Sequence, residues 1–254
     1  MIHFFLLGII EGLTEFLPVS STAHLVLYNY FTGFDLSSPY IKTFEVAIQL
    51  GSVLAVIFYY LKDFLKIETL KLLAVSVLPT IFIGFLLRDF VDLLLELPIL
   101  IGVNLILGGI IILIAENIYK KRKTPKSKII HYKEGATLGV VQSLAMMPGV
   151  SRSGAVIVYG LFKNFDREVI AKFTFLLAVP TMGAATGYSI LKNYKIILSE
   201  NNFQNLALGF ITAFIVALFV VRYALPFIKK YSFVPFGIYR IILGLIVLTT
   251  IYLN

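Results

Sequence analysis

The sequence predicts an all-α integral membrane protein: six transmembrane helices plus two re-entrant helix hairpins meeting near the midplane, arranged as an inverted-topology repeat. Three observations predict it. Of 254 residues, 59% are hydrophobic and only 14% charged, with a mean hydropathy of +0.91; a soluble domain is about 45–50% apolar and roughly 25% charged. Apolar runs of about twenty residues, enough to cross a hydrocarbon core of roughly 30 Å, recur along the whole chain. Two further apolar stretches, 2–31 and 135–163, are broken in the middle by Pro, Gly and Ser, at corresponding places in the two halves. The expectation is a single membrane domain, with repeat 1 at about 1–119, a basic loop at about 120–133 and repeat 2 at about 134–254.

The N-terminus, Met1-Ile2-His3-Phe4-Phe5, has no basic n-region, and Glu11 and Glu15 interrupt its apolar stretch, so it reads as part of the fold rather than a cleaved signal. This first segment breaks at Leu17-Pro18-Val19-Ser20-Ser21-Thr22, and each half is too short to span. Three spans follow at about 43–61, 69–87 and 98–118, separated by Lys62, Lys66 and Lys71 and then by Arg88 to Pro98. The second broken segment is interrupted at Pro148-Gly149-Val150-Ser151-Arg152-Ser153-Gly154. Spans at about 169–191, 205–225 and 233–252 complete the chain, with Asn193 to Asn202 between the first two of these.

The halves match at a constant offset of 131: Gly8 with Gly139, Glu11 with Gln142, Ser20 with Ser151 and Thr22 with Ser153. A weaker echo pairs Gly102 and Gly109 with Gly237 and Gly244. Charge orients the repeats. With the Lys120-Lys121-Arg122-Lys123 loop placed in the cytoplasm and sides alternated outward, 16 of the 22 Lys and Arg fall inside and four outside, leaving only Arg152 and Arg240 within apolar segments. Both termini then lie outside, and the repeats are inverted. The net charge of +8 is thereby a topology signal and not a mark of nucleic acid. The absence of cysteine excludes disulfides, thiolate metal sites and cysteine nucleophiles.

Ionisable groups inside a bilayer cost roughly 2.5–3.5 kcal/mol each, so Glu11, Glu15, His24, Glu45 and Arg152 need partners or a purpose. Glu11 and Glu15, spaced i, i+4, put two hard oxygen ligands on one helix face, suited to Mg²⁺ or Ca²⁺ or else to an amphipathic helix with its acids in water. Ser20, Ser21 and Thr22 with His24 head the next half-helix, where hydroxyls cap free N–H groups or, with imidazole and carboxylate, attack a substrate. Gly149, Ser151, Arg152 and Ser153 offer loop N–H groups, a helix N-terminus and a guanidinium fork: an anion cradle, or a structural partner for Glu11 or Glu15.

The stretches Glu11 to His24, Pro148 to Ala155 and Lys42 to Val46 with Gln49-Leu50-Gly51 resemble the bacterial undecaprenyl-diphosphate phosphatases of the bacitracin-resistance type. The resemblance covers essentially the whole chain, with Ala23 standing where the family pattern has Gly. It implies a hydrolase acting on a phosphoric anhydride, which converts the C55 polyprenyl diphosphate to the monophosphate for peptidoglycan synthesis in the bacterial inner membrane, with a site open to the outer face. It also implies a divalent cation organised by Glu11 and Glu15, Ser21 as the leading nucleophile, His24 in proton transfer or as alternative nucleophile, and Arg152 with Ser151 and Ser153 on the diphosphate. The lipid substrate and membrane lipids are the expected partners. A transporter or flippase of a polyprenyl phosphate lipid, built on the same repeat, is the alternative.

Overall fold

The computed structural model describes residues 1–34, 38–87, 90, 94, 97–124, 126–197 and 200–253. In chain order its helices are α1 (Ile2–Thr14), α2 (Ser21–Thr32), α3 (Pro39–Tyr59), α4 (Leu61–Phe64), α5 (Ile67–Leu86), α6 (Pro98–Lys121), α7 (Tyr132–Gln142), α8 (Arg152–Phe162), α9 (Arg167–Ile197), α10 (Glu200–Tyr231) and α11 (Val234–Leu253). Among the described residues there is no strand, only an isolated bridge between Ser127 and Phe165. Six helices, α3, α5, α6, α9, α10 and α11, are long and apolar enough to cross a membrane. The two broken segments form the short pairs α1/α2 and α7/α8, interrupted where Pro and Gly stand in the sequence; a 3₁₀ turn, Ser143–Met146, follows α7.

Pro39 and Pro98 sit in the first turn of α3 and α6, where the missing N–H costs nothing. Pro79, Pro180 and Pro226 lie inside α5, α9 and α10 without ending them, as packed neighbours in a membrane allow. The helices α9 and α10 depart from the sequence reading. Their 31 and 32 residues reach roughly 45–50 Å at about 1.5 Å per residue, well beyond a hydrocarbon core. The break expected across Asn193 to Asn202 is helical up to Ile197 and again from Glu200. Hydropathy marks where the bilayer ends, and a helix is free to continue into water. Arg88 and most of the connection to Pro98 lie outside the described residues.

The main core draws on both halves, with Phe16, Val56, Ile112, Ile157, Phe175 and Phe233 all buried together. Large apolar side chains such as Phe58, Phe82 and Phe219 point outward, as lipid-facing residues must. The helices α6 and α11 approach through four glycines. A Cβ on Gly109 would lie 2.6 Å from the Gly237 carbonyl oxygen, and one on Gly244 2.7 Å from that of Gly102. Gly102 meets Gly244, and Gly109 meets Gly237, so the residues paired in sequence exchange partners across the contact, as a two-fold relation demands. At one end of this pair the buried Glu116 accepts a forked bond from Arg167 and the backbone N–H of Phe233 at 2.9 Å, tying α6, α9 and α11.

Candidate active site

The two breaks, 15–20 and 147–151, come together. Ser153 Oγ donates to the Leu17 carbonyl at 2.9 Å, joining one loop to the other. Each loop delivers its chain into a short helix through a serine of left-handed backbone, Ser20 at φ 71° and Ser151 at φ 67°. A residue with a Cβ pays roughly 1–2 kcal/mol for that conformation. These serines occupy the paired positions 131 apart, so the same strained turn is built twice. Ser151 caps its helix by accepting the Gly154 N–H at 3.1 Å, while Ser20 makes no side-chain cap.

Arg240 holds both loops. Its side chain is fully buried on α11 and donates to the carbonyls of Pro18 (3.2 Å), Gly149 (2.9 Å) and Val150 (3.2 Å), and to Asn104 (3.0 Å) on α6. Asn104 Nδ2 adds a bond to the Pro148 carbonyl at 2.8 Å. Because a trans peptide directs its N–H opposite to its C=O, the Ser151 amide faces away from Arg240.

On the other side of the loops lies a cavity of about 780 Å³. Glu15, Ser20, Ser21, Thr22, Gly149, Ser151 and Arg152 all line it. Glu15 stands at the centre of a three-member chain: its Oε1 accepts Arg152 at 2.9 Å and its Oε2 accepts the Ser21 hydroxyl at 2.6 Å. Arg152 also donates to the Thr174 carbonyl at 3.0 Å, which fixes the guanidinium against α9. Ser21 is the first residue of α2, so its oxygen sits at the positive end of that helix. A carboxylate on a serine hydroxyl, beside an arginine and two helix N-termini, is an arrangement with the chemistry that a nucleophile, its base and an anion clamp require.

The remaining expected residues fall elsewhere. Ser153 is buried between Ser151 and Leu17 behind the loop. His24 turns away from Ser21. Its Nδ1 donates to the Ser20 carbonyl at 2.7 Å, which leaves Nε2 to take the hydroxyl of Tyr239, also at 2.7 Å. The imidazole stacks on the Tyr239 ring, so it supports the loop from the α11 side. Glu11 is fully buried, and neither of its oxygens has a partner.

The far wall of the cavity is polar in part. Gln142 donates to Thr80, which donates to the Gly139 carbonyl at 2.7 Å, and Thr181, whose hydroxyl donates to the Leu177 carbonyl at 2.8 Å, stands 3.4 Å from the Gln142 amide oxygen. Ile81, Phe85, Met146 and Met182 make the rest apolar. Phe85 lines the cavity yet is 80% exposed, so this wall opens sideways towards lipid. The site is thus amphipathic, with an anion clamp at one end and a greasy flank at the other.

The sequence model of the family described as bacitracin resistance protein BacA matches residues 4–246. The chain belongs to the BacA family. Proteins named undecaprenyl-diphosphatase resemble it over nearly their full length. That of Persephonella marina is 46% identical over 251 residues, 98% of each chain. That of Sulfurihydrogenibium sp. is 45% identical over 243 residues, 95% of each. That of Wolinella succinogenes is 47% identical over 249 residues, 97% of this chain and 96% of the relative.

In this BacA chain, sequence reasoning missed Arg240, Tyr239 and the polar wall of Thr80, Gln142 and Thr181. Arg240 carried a signal, being one of only two basic residues inside apolar segments. Gln142 carried one too, as the partner of Glu11 in the repeat. Tyr239 stood beside Arg240 in a stretch that shares the family resemblance, but nothing marked its contact with His24, and Thr80 carried no signal, since one hydroxyl in an apolar run is unremarked.

Proposed function

We propose that this BacA-family protein is an undecaprenyl-diphosphatase that hydrolyses undecaprenyl diphosphate to undecaprenyl phosphate and inorganic phosphate. That reaction returns the lipid carrier to cell-wall synthesis and underlies bacitracin resistance. The observation that carries the reading is the Arg152–Glu15–Ser21 chain at the cavity wall. The prenyl tail lies along Ile81, Phe85 and the methionines and leaves through the lateral opening, while the diphosphate meets the two loops.

Phosphoryl transfer needs alignment and charge neutralisation more than covalent help. Arg152 exchanges Glu15 for the terminal phosphate, and the two helix N-termini add their partial charge. Glu15 takes the Ser21 proton; Ser21 Oγ bonds to the terminal phosphorus, and the bond to the bridging oxygen breaks, that oxygen leaving on undecaprenyl phosphate. Water then cleaves the phosphoserine, releasing inorganic phosphate, and a proton returns to Ser21. His24, held by Ser20 and Tyr239, keeps the loop in register and acts at one remove. A divalent cation, Mg²⁺ or Ca²⁺, fits Glu11, whose two buried oxygens are bare, better than Glu15, whose oxygens are both engaged. When bound there the ion supplies positive charge beside the site.

The protein lies in the bacterial inner membrane with both termini outside and the cavity open to the outer face. The distribution of Lys and Arg supports this orientation. The exchanged glycine contacts and the matched strained serines support inverted repeats with re-entrant α1/α2 and α7/α8. Phosphate release from undecaprenyl diphosphate by the purified protein in detergent tests the reading. Arg152→Ala, folded by its unfolding temperature, should lose at least about a hundredfold in rate, as loss of a clamp on developing charge does. Wild-type turnover in that variant would exclude Arg152 from the site.

A further inference from the structure

The helix α5 lines the cavity with one face, through Thr80, Ile81, Gly84 and Phe85. That face changes character across its width. Thr80 is buried and bonded to Gln142 and the Gly139 carbonyl, whereas Ile81 and Phe85 are exposed. Gly84 stands between them, one turn on from Thr80 and beside Phe85, where the polar part of the cavity gives way to its lateral opening.

Helix packing does not explain a glycine there. A Cβ on Gly8, Gly51 or Gly139 would strike a backbone carbonyl oxygen of a neighbouring helix, so those glycines let two helices touch. Among the described residues outside α5, a Cβ on Gly84 would meet only the end of Met146, with Cε at 2.8 Å and Sδ at 3.7 Å. A glycine inside a helix weakens it relative to alanine. At this position the missing side chain leaves room in the cavity rather than a closer contact between backbones.

Met146 ends the 3₁₀ turn that follows α7 and stands two residues before Pro148, where the loop to Ser151 and Arg152 begins. Its side chain is half-buried, and an unbranched thioether on three rotatable bonds adapts to what lies beside it. From α9 the cavity takes Ala184 and Ala185, short side chains that are also exposed, so this helix too leaves the outward end uncrowded. The volume of about 780 Å³ is that of a small-molecule pocket, so a C55 chain enters only with its first isoprene units.

We infer that these first units take the place of the Met146 thioether against Gly84, which makes Met146 a displaceable plug and Gly84 the residue that sets the width of the tail's passage. A diphosphate without a tail leaves Met146 where it is, so the pair selects for a prenyl chain. The inference rests on the phosphatase reading for its substrate and adds the two residues that recognise the tail.

The test is steady-state hydrolysis of farnesyl diphosphate, a short prenyl diphosphate, by the purified full chain in detergent. The rise in unfolding temperature on adding farnesyl monophosphate is a second readout that needs no turnover. Gly84→Leu should raise KM tenfold or more with kcat within threefold of wild type, and should abolish the temperature rise. Gly84→Val should act in the same direction to a smaller degree, and covers the case in which Gly84→Leu does not fold. Adding Met146→Ala, which removes nearly as much side chain as Gly84→Leu adds, should return KM to within threefold of wild type and restore the temperature rise. Phe82→Leu, on an exposed side chain of the same helix, should keep the wild-type KM. Damage to the packing of α5 would instead lower kcat and would not be relieved by shortening Met146. A wild-type KM in folded Gly84→Leu, or a raised KM that Met146→Ala leaves in place, would overturn the inference and leave the phosphatase reading standing. A wild type that releases no phosphate would refute the phosphatase reading; the temperature shifts would then decide the inference alone, and no shift in wild type would overturn it.

Discussion

At the scale of single residues, Arg240 matters as much as the groups that touch substrate. It is a buried charge within an apolar helix, and its hydrogen bonds go to five carbonyls of the two loops and the helix behind them. Removing it leaves several buried carbonyls without donors, at about 1–3 kcal/mol each. Arg240→Met should therefore lower the unfolding temperature and cut phosphate release together, while Arg240→Lys, with a point charge in place of a fork, should recover stability only in part. Thermal unfolding in detergent beside the release assay checks this, and an unfolding temperature equal to wild type in Arg240→Met would refute the staple. Glu15 and Arg152, which meet at the cavity, stood out in the sequence because a bilayer penalises charge; Glu11 stood out for the same reason but does not line the cavity. What each one touches was not legible there. The direction of His24 depends on Tyr239, 215 residues away, and the choice of Glu15 over Glu11 as the partner of Arg152 depends on the contact between the two loops through Ser153 and Leu17.

At the scale of elements, the positions of the two breaks and the number of spans were readable from apolar runs and from Pro, Gly and Ser. The ends of α9 and α10 were not, since polar residues such as Asn193 and Asn202 continue a helix in water as readily as they end one. The glycine contact of α6 with α11 was visible only as a weak echo in the sequence, but it sets how closely Arg240 approaches the loops. Gly109 has the Gly237 carbonyl and the Arg240 stem against it. Gly109→Leu should force the helices apart at a cost of about 1–3 kcal/mol. The release rate should fall with it, whereas Leu107→Ala, on an exposed side chain of the same helix, should leave both unchanged.

At the scale of the whole molecule, the two broken segments bring their loops together, so that strained turns, helix N-termini and opposite charges meet in one cavity between apolar helices. The chain has no cysteine, which makes its orientation directly testable. A single cysteine at Lys123 should react with a membrane-impermeant maleimide only after the membrane is opened, and one at Ser38 should react in intact spheroplasts. The reverse pattern would invert the topology. The central claim is that Ser21, activated by Glu15, attacks the terminal phosphate. The most direct measurement is release of inorganic phosphate from undecaprenyl diphosphate by Ser21→Ala, compared with Thr22→Ala at the same cavity wall, both checked for folding by thermal unfolding. The account predicts a loss of about a thousandfold or more for Ser21→Ala and a small change for Thr22→Ala; near wild-type turnover in folded Ser21→Ala would contradict it.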